Sequence, residues 1–256
     1  MKPNAFKQAL RSNQAQIGLW AGTADPYVTE ILAGTGFDWL VIDAEHAPND
    51  LRTILGQLQA MAPYPTAPVV RTPSADPAGL KQLLDIGAQN LLIPMVDTAE
   101  QARALAAATR YPPQGTRGVG TALARAARWK LIPDYLQRAN DEICLMVQVE
   151  SVRALENLEA ITAVDGVDGV FFGPTDLGAS MGHIHDPGNP AIRQAVEDGM
   201  RTVLSMGKAA GVLTTSQAFA QSCLALGAQF VAVGLDTLLI IDAAKALLEK
   251  YRPAKP

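Results

Sequence analysis

Short β-rich runs alternate with amphipathic helical runs eight times along this chain, and that rhythm constrains the fold more than any other feature. The runs Gln16–Trp20, Trp39–Asp43, Pro68–Arg71, Asn90–Pro94, Ile143–Glu150, Gly169–Gly173, Ala209–Thr214 and Phe230–Gly234 read as buried strands, being short, largely apolar and bounded by turn residues. Helical patterns occupy Tyr27–Ala33, Leu51–Met61, Ala78–Ile86, Ala99–Thr109, Val152–Ile161, Ala191–Ser205, Gln217–Leu226 and Thr237–Tyr251. Asp25-Pro26, Asp76-Pro77 and Asp97-Thr98 stand where helices should begin, and Gly34, Gly87, Gly207 and Gly227 where they should end. A strand always followed by a helix returns to its sheet in the same direction, because the return needs a crossover. Eight such units predict an α/β fold with one domain over residues 1–256, a closed (β/α)8 TIM barrel. An open doubly wound sheet would carry a Gly-rich phosphate loop after an early strand, and Trp20-Ala21-Gly22-Thr23-Ala24-Asp25 is not one.

Composition narrows the partners. With 48% apolar residues the chain has ample material for a core. The 21 Lys+Arg against 25 Asp+Glu give a net charge of −4, which offers no electrostatic footprint for nucleic acid or an anionic membrane. A small-molecule partner is expected instead. Acidic or polar residues interrupt every apolar stretch before the roughly 20 residues of a membrane span. The first residues lack the apolar core of a secretory signal, so a cytoplasmic location is expected. Cys144 and Cys223 lie far apart in apolar runs and read as buried, reduced thiols.

The chemistry gathers at the expected C-terminal strand ends. Two long connections, 111–140 and 177–190, are both read as following strands, on the face where barrel enzymes keep their sites. Asp43 ends the second strand, His46 follows it, and Arg71 ends the third. Gln148 and Glu150 end the fifth on a shared face, and Gly173-Pro174-Thr175-Asp176 ends the sixth. Glu150 and Asp176 are candidate metal ligands, since two carboxylates without clustered His or Cys suit Mg²⁺ or Mn²⁺; the other reading makes them helix-start residues. Arg71 is either a structural salt bridge or a fixed charge for an oxyanion. His46 is either a solvated loop residue or a general base. The amides of Gly173–Thr175 form a natural cradle for a carboxylate. His183 and His185 read as surface-loop residues. No lysine falls inside or at the C-terminal end of an expected strand, so Schiff-base chemistry is not expected.

The segments Trp39 through His46-Ala47-Pro48, Pro68-Val69-Val70-Arg71, Arg110-Tyr111-Pro112-Pro113 with Gly115-Thr116-Arg117-Gly118, Val147-Gln148-Val149-Glu150 and Gly173-Pro174-Thr175-Asp176-Leu177 resemble, together and in order, the HpcH/HpaI aldolase family. The resemblance spans essentially the whole chain. It implies a class II pyruvate aldolase dependent on a divalent metal (Mg²⁺, Mn²⁺ or Co²⁺), assembled as a homohexamer. Its partners would be a small-molecule 2-oxoacid and an aldehyde. It points first to reversible cleavage of 4-hydroxy-2-oxoacids, such as 4-hydroxy-2-oxoheptanedioate, to pyruvate and an aldehyde such as succinic semialdehyde. The alternative is an aldolase for 2-keto-3-deoxy sugar acids or for hydroxypyruvate-type donors. A non-catalytic barrel that only binds 2-oxo acids is the rival from another class.

On this resemblance Glu150 and Asp176 match the metal ligands, His46 the base and Arg71 the enolate stabiliser. Gln148, Gly173, Thr175 and Asp176 match substrate contacts. Asp85 matches a carboxylate that raises the basicity of the histidine; its place at a helix end suggests that it reaches His46 across a subunit interface. Trp20 and Leu213 either shape the aldehyde pocket or pack the core. Arg125 is a candidate for meeting a distal carboxylate. Ala44 and Thr175 depart from the commonest pattern, where Gly and Ala are frequent, and leave fine substrate preference open.

Overall fold

Each of the eight apolar runs forms a parallel strand, because an all-parallel sheet covered by helices buries both faces of its strands. The computed structural model describes residues 1–252 and closes these strands into one barrel in sequence order. They are β1 (Gln16–Ala21), β2 (Trp39–Asp43), β3 (Ala67–Arg71), β4 (Asn90–Ile93), β5 (Cys144–Val149), β6 (Gly169–Phe172), β7 (Ala209–Leu213) and β8 (Phe230–Leu235). The two-residue period splits each strand between two cores. Trp39, Val41, Val69, Leu92, Met146, Phe171 and Phe230 fill the barrel, while Leu40, Ile42, Val70, Leu91, Val147 and Val170 face the helices. Gly18 is required by this filling: a Cβ there would lie 2.2 Å from the Trp39 indole.

The surrounding helices are α1 (Ala5–Arg11), α2 (Pro26–Ala33), α3 (Leu51–Ala60), α4 (Pro77–Ile86), α5 (Ala99–Thr109) and α6 (Tyr135–Glu142). They continue with α7 (Val152–Glu156), α8 (Leu158–Thr162), α9 (Pro174–Ser180), α10 (Pro190–Ser205), α11 (Gln217–Leu226) and α12 (Asp236–Glu249). Asp25 and Asp76 cap α2 and α4 by accepting from Val28 and Gly79 N–H. At α5 the cap is Thr98 rather than Asp97, with Gln101 completing a capping box. Gly87 and Gly227 end their helices at φ 108° and 102°, whereas Gly34 stays right-handed at φ −79°. The expected helix Val152–Ile161 is broken at Asn157 into α7 and α8.

Three helices are absent from the sequence pattern: α1, α6 and α9. Alone, seven or eight residues make a marginal helix, and tertiary packing supplies the stability. In α1, Phe6 and Leu10 plug the barrel floor, with Phe6 stacking against Trp39 and Phe230 at centroid distances of 5.8 and 6.4 Å. Lys7 pairs there with Asp168 at 3.2 Å and donates to the Ile143 carbonyl.

One expectation about the connections is corrected. The segment 110–143 follows α5 and leads into β5, so it belongs to the N-terminal end of the barrel, away from the strand C-termini. Arg125 goes with it, donating to the carbonyls of Ile86 and Leu58 at the ends of α4 and α3. It therefore meets no substrate at the opposite mouth of its own barrel. The segment 177–190 does follow β6 and carries the rest of α9. Among the described residues no helix is long and apolar enough to cross a membrane.

Candidate active site

The site begins with a register. Asp43 and Arg71 are paired positions on neighbouring strands β2 and β3, so their side chains stand side by side. Arg71 donates through Nε and Nη2 to the two carboxylate oxygens of Asp43, at 2.8 and 2.6 Å. Its Nη1 lies 2.8 Å from Glu45 Oε2, and its guanidinium sits 4.9 Å above the Trp20 ring. Asp43 also accepts from Trp20 Nε1 at 3.3 Å and from the backbone N–H groups of Glu45 and His46. Burial pushes the Asp43 carboxyl upward, but the Arg71 hydrogen bonds and charge, with those two N–H groups, outweigh it and hold it below its ordinary value. The fork is thus aimed before any ligand arrives.

Opposite stands Glu150, buried just past β5. Its Oε2 accepts from Gln148 Nε2 at 3.0 Å and its Oε1 from the Met95 N–H at 2.7 Å. Met95 adopts φ +56° at that point, a left-handed conformation that costs a non-glycine residue energy. Burial raises the Glu150 carboxyl to about 7; the Met95 N–H opposes this, and Asp176 and Glu45 add to it. Gly173 makes room for the carboxylate, since a Cβ there would stand 2.6 Å from Glu150 Oε2. Gln148 Oε1 is buried and has no hydrogen-bond partner among the described residues.

A cavity of about 580 Å³ opens above these groups. Trp20, Gln148 and Phe171, each nearly fully buried, form its floor. Arg71, Gly173, Thr175, Asp176 and Leu213 line its walls. Seven expected site residues therefore share one space, and Trp20 serves both as lining and as core. Among the described residues no lysine lines the cavity.

His46 and Asp85 are arranged differently. His46 is largely exposed at the rim, outside the cavity lining, with Nε2 3.9 Å from Glu45 Oε2. Asp85 lies in the last turn of α4, which leads into a strand, whereas His46 follows one. Within one chain they stand at opposite ends of the barrel. Asp85 pairs instead with Arg117 at 2.7 Å, whose guanidinium stacks on Tyr111 at 4.3 Å and reaches the Tyr135 hydroxyl at 3.2 Å. Sequence reasoning assigned no role to Glu45 and none beyond the rim cluster to Asp43. Opposite charges at matching strand ends, Asp43 and Arg71, were the available signal.

The donor set fits a hard dication. Among the described residues no three His, Cys, Asp or Glu side chains gather into an all-protein cage. Asp43 and Glu45 nevertheless hold the single guanidinium of Arg71, and Glu150 and Asp176 lie within charge range of Glu45 and of each other. Glu150 is buried with hydrogen bonds but no salt bridge among the described residues, and a buried carboxylate is costly unless protonated or met by a cation. Mg²⁺-type ions characteristically use one or two carboxylates and fill their shell with water and substrate oxygens.

Residues 16–243 match the family described as HpcH/HpaI aldolase/citrate lyase. The chain is 62% identical over 249 residues, 97% of its length and 90% of the relative's, to a hydroxypyruvate/pyruvate aldolase of Deinococcus radiodurans. It is 55% identical over 252 residues, 98% of its length and 96% of the relative's, to a 4-hydroxy-2-oxo-heptane-1,7-dioate aldolase of Salmonella arizonae. A crystal structure of an HpcH/HpaI aldolase/citrate lyase family protein from Burkholderia cenocepacia superposes with TM-score 0.94 at 37% identity, covering 98% of this chain and 100% of that one. The similarity thus leans toward the donor chemistry held as the alternative in the sequence reading, rather than toward heptanedioate cleavage. The chain belongs to the HpcH/HpaI aldolase family, and it is an aldolase that makes and breaks carbon–carbon bonds.

Proposed function

We propose that this barrel turns hydroxypyruvate or pyruvate into a carbon nucleophile and joins it reversibly to an aldehyde. The observation that carries the reading is the preset Arg71 fork lining one cavity with Asp176 and Gln148, with buried Glu150 held just beneath by Gln148. Negative charge developing on an enolate oxygen needs fixed positive charge already in place, and Arg71 is held for that by Asp43 and Glu45 without reorganisation. Glu150 and Asp176 would hold the divalent metal, Mg²⁺, Mn²⁺ or Co²⁺, which when bound supplies Lewis-acid polarisation of the keto group.

The chain's own residues do the rest. Gln148, Asp176 and the backbone at Gly173–Thr175 orient the 2-oxoacid, and Trp20 and Leu213 shape the side where the aldehyde lies. In the cleavage direction His46 takes the proton from the C4 hydroxyl, directly or through a water. The C3–C4 bond then breaks, the aldehyde leaves, and the enolate is protonated at C3; synthesis is the reverse. Asp85 raises the basicity of His46 from a second copy of the chain, which makes an oligomer such as a hexamer the working form. The exposed position of His46 and the placement of Asp85 at the far end of the barrel support an arrangement between copies.

A second reading, cleavage of 4-hydroxy-2-oxoheptanedioate to pyruvate and succinic semialdehyde, is supported by the Salmonella relative. Initial rates with hydroxypyruvate and pyruvate as donors, and with 4-hydroxy-2-oxoheptanedioate as cleavage substrate, separate the two. Aldol product from hydroxypyruvate is expected. Turnover of the heptanedioate alone would favour the second reading, and turnover of none would refute both.

A further inference from the structure

The cavity is much larger than a three-carbon acid needs, since about 580 Å³ lies in the range that encloses drug-sized ligands. Its floor is accounted for by the donor groups above. Its outer wall is built from the segments after β6 and β7, and among the described residues the cation there is Arg193, on the first turn of α10. That guanidinium is stacked 4.7 Å over the Phe219 ring, which also lines the cavity, so its position is fixed although its side chain is 47% exposed. Among the described residues its salt-bridge partner is Glu197 at 3.7 Å, which also meets Arg201 at 3.5 Å, and Arg201 pairs more closely with Asp198 at 2.7 Å. The Glu197 contact runs through Nε at 3.7 Å, longer than a hydrogen bond, so the Nη donors of Arg193 stay available to an anion. Beside it, the Thr214 hydroxyl accepts from the Ser216 N–H and the Ser216 hydroxyl from the Phe219 N–H, so both hydroxyl protons remain for a ligand.

An aldehyde must bring its carbonyl carbon down to the nucleophile on the cavity floor, and its far end then points to this outer wall. We propose that Arg193 is a specificity-determining residue for the acceptor: an aldehyde whose far end is anionic, a carboxylate or a phosphate, binds with that group against the Arg193 guanidinium and the Thr214 and Ser216 hydroxyls. The proposal rests on the aldol reading of the cavity. It replaces Arg125, which lies at the other end of the barrel, as the cation available to a distal anion.

The test compares kcat/KM in the presence of pyruvate for two matched pairs: succinic semialdehyde against butanal, and glyceraldehyde 3-phosphate against glyceraldehyde. In the native protein the anionic member of at least one pair should be favoured about tenfold or more, a single charge-assisted contact being sufficient for that. Which pair shows it distinguishes carboxylate from phosphate. R193Q should bring that ratio to near one, and R193K, which keeps the charge without the planar fork, should restore part of it. A ratio unchanged in R193Q, an equal loss on charged and neutral members, or no anionic preference in the native protein overturns the proposal. If no aldehyde is consumed at all, the aldol reading has failed. Titration calorimetry with succinic semialdehyde alone then decides Arg193, binding about tenfold weaker in R193Q supporting it and unchanged binding refuting it.

Discussion

Asp43→Asn removes one charge from the pair that aims the Arg71 fork while keeping shape and volume. Asp43 is buried and receives two bonds from Arg71, one from Trp20 and two from backbone N–H groups. An asparagine keeps one acceptor oxygen and turns an N–H₂ donor toward other donors. Removing one partner of a buried pair costs about 3–5 kcal/mol. Glu45 still neutralises the guanidinium from 2.8 Å, so the low end, about 3 kcal/mol, is expected. For a chain of this size that lowers Tm by about 6–12 °C, at about 2–4 °C per kcal/mol. The pH dependence has a definite sign. Arg71 and the N–H groups depress the Asp43 carboxyl, so its contribution is present above the ordinary aspartate value of 3.8 and is lost as pH falls through the lower folded value. Thermal unfolding of the native protein and D43N at several pH values should show a wide gap at neutral pH that closes in acid, with kcat of D43N reduced at neutral pH. A gap under about 2 °C at neutral pH, or one constant down to pH 3, would refute the account of how the fork is held.

Three further outcomes are expected. Arg71→Ala should lower kcat by about 10²-fold or more with KM moving less, whereas a change confined to KM would make Arg71 a uniform binding group. Gly173→Ala places a Cβ 2.6 Å from Glu150 Oε2, so the carboxylate must shift; activity should fall steeply while the fold persists, and Mn²⁺ binding measured by titration should weaken. His46→Ala and Asp85→Asn should each be nearly inactive, and mixed oligomers re-formed from the two should regain activity, because some interfaces then join native His46 to native Asp85. No recovery after verified subunit exchange would remove Asp85 from the site.

The barrel is legible because each strand is a short apolar run closed off by cap residues, as at Trp39–Asp43, where the bounds read from sequence and those of β2 coincide. Helices with a full amphipathic period and a side-chain cap, such as α5 and α11, are equally plain. What the pattern misses is stabilised by distant parts of the chain. The helix α1 exists because Phe6 and Leu10 find the open floor of a barrel that residues 16–235 build. The connection 111–140 reads as lying on the site face because its length and Gly-Pro content mark a loop but not which element precedes it. The site shows the same division. Arg71, Glu150 and Asp176 stand out as charges after apolar runs, but Glu45 reads as one more loop carboxylate until the barrel sets it against Arg71. Arg193 is hidden the same way, as the fourth residue of an ordinary amphipathic helix.

The most direct measurement is hydrogen–deuterium exchange at the methyl group of pyruvate, followed by NMR in D₂O with no aldehyde present. Exchange by the protein should stop on adding EDTA, return with Mg²⁺, Mn²⁺ or Co²⁺, and be lost in Glu150→Gln. Full exchange in the chelator, or none with any of the three metals, would contradict a site in which Glu150, Asp176 and Arg71 together stabilise an enolate.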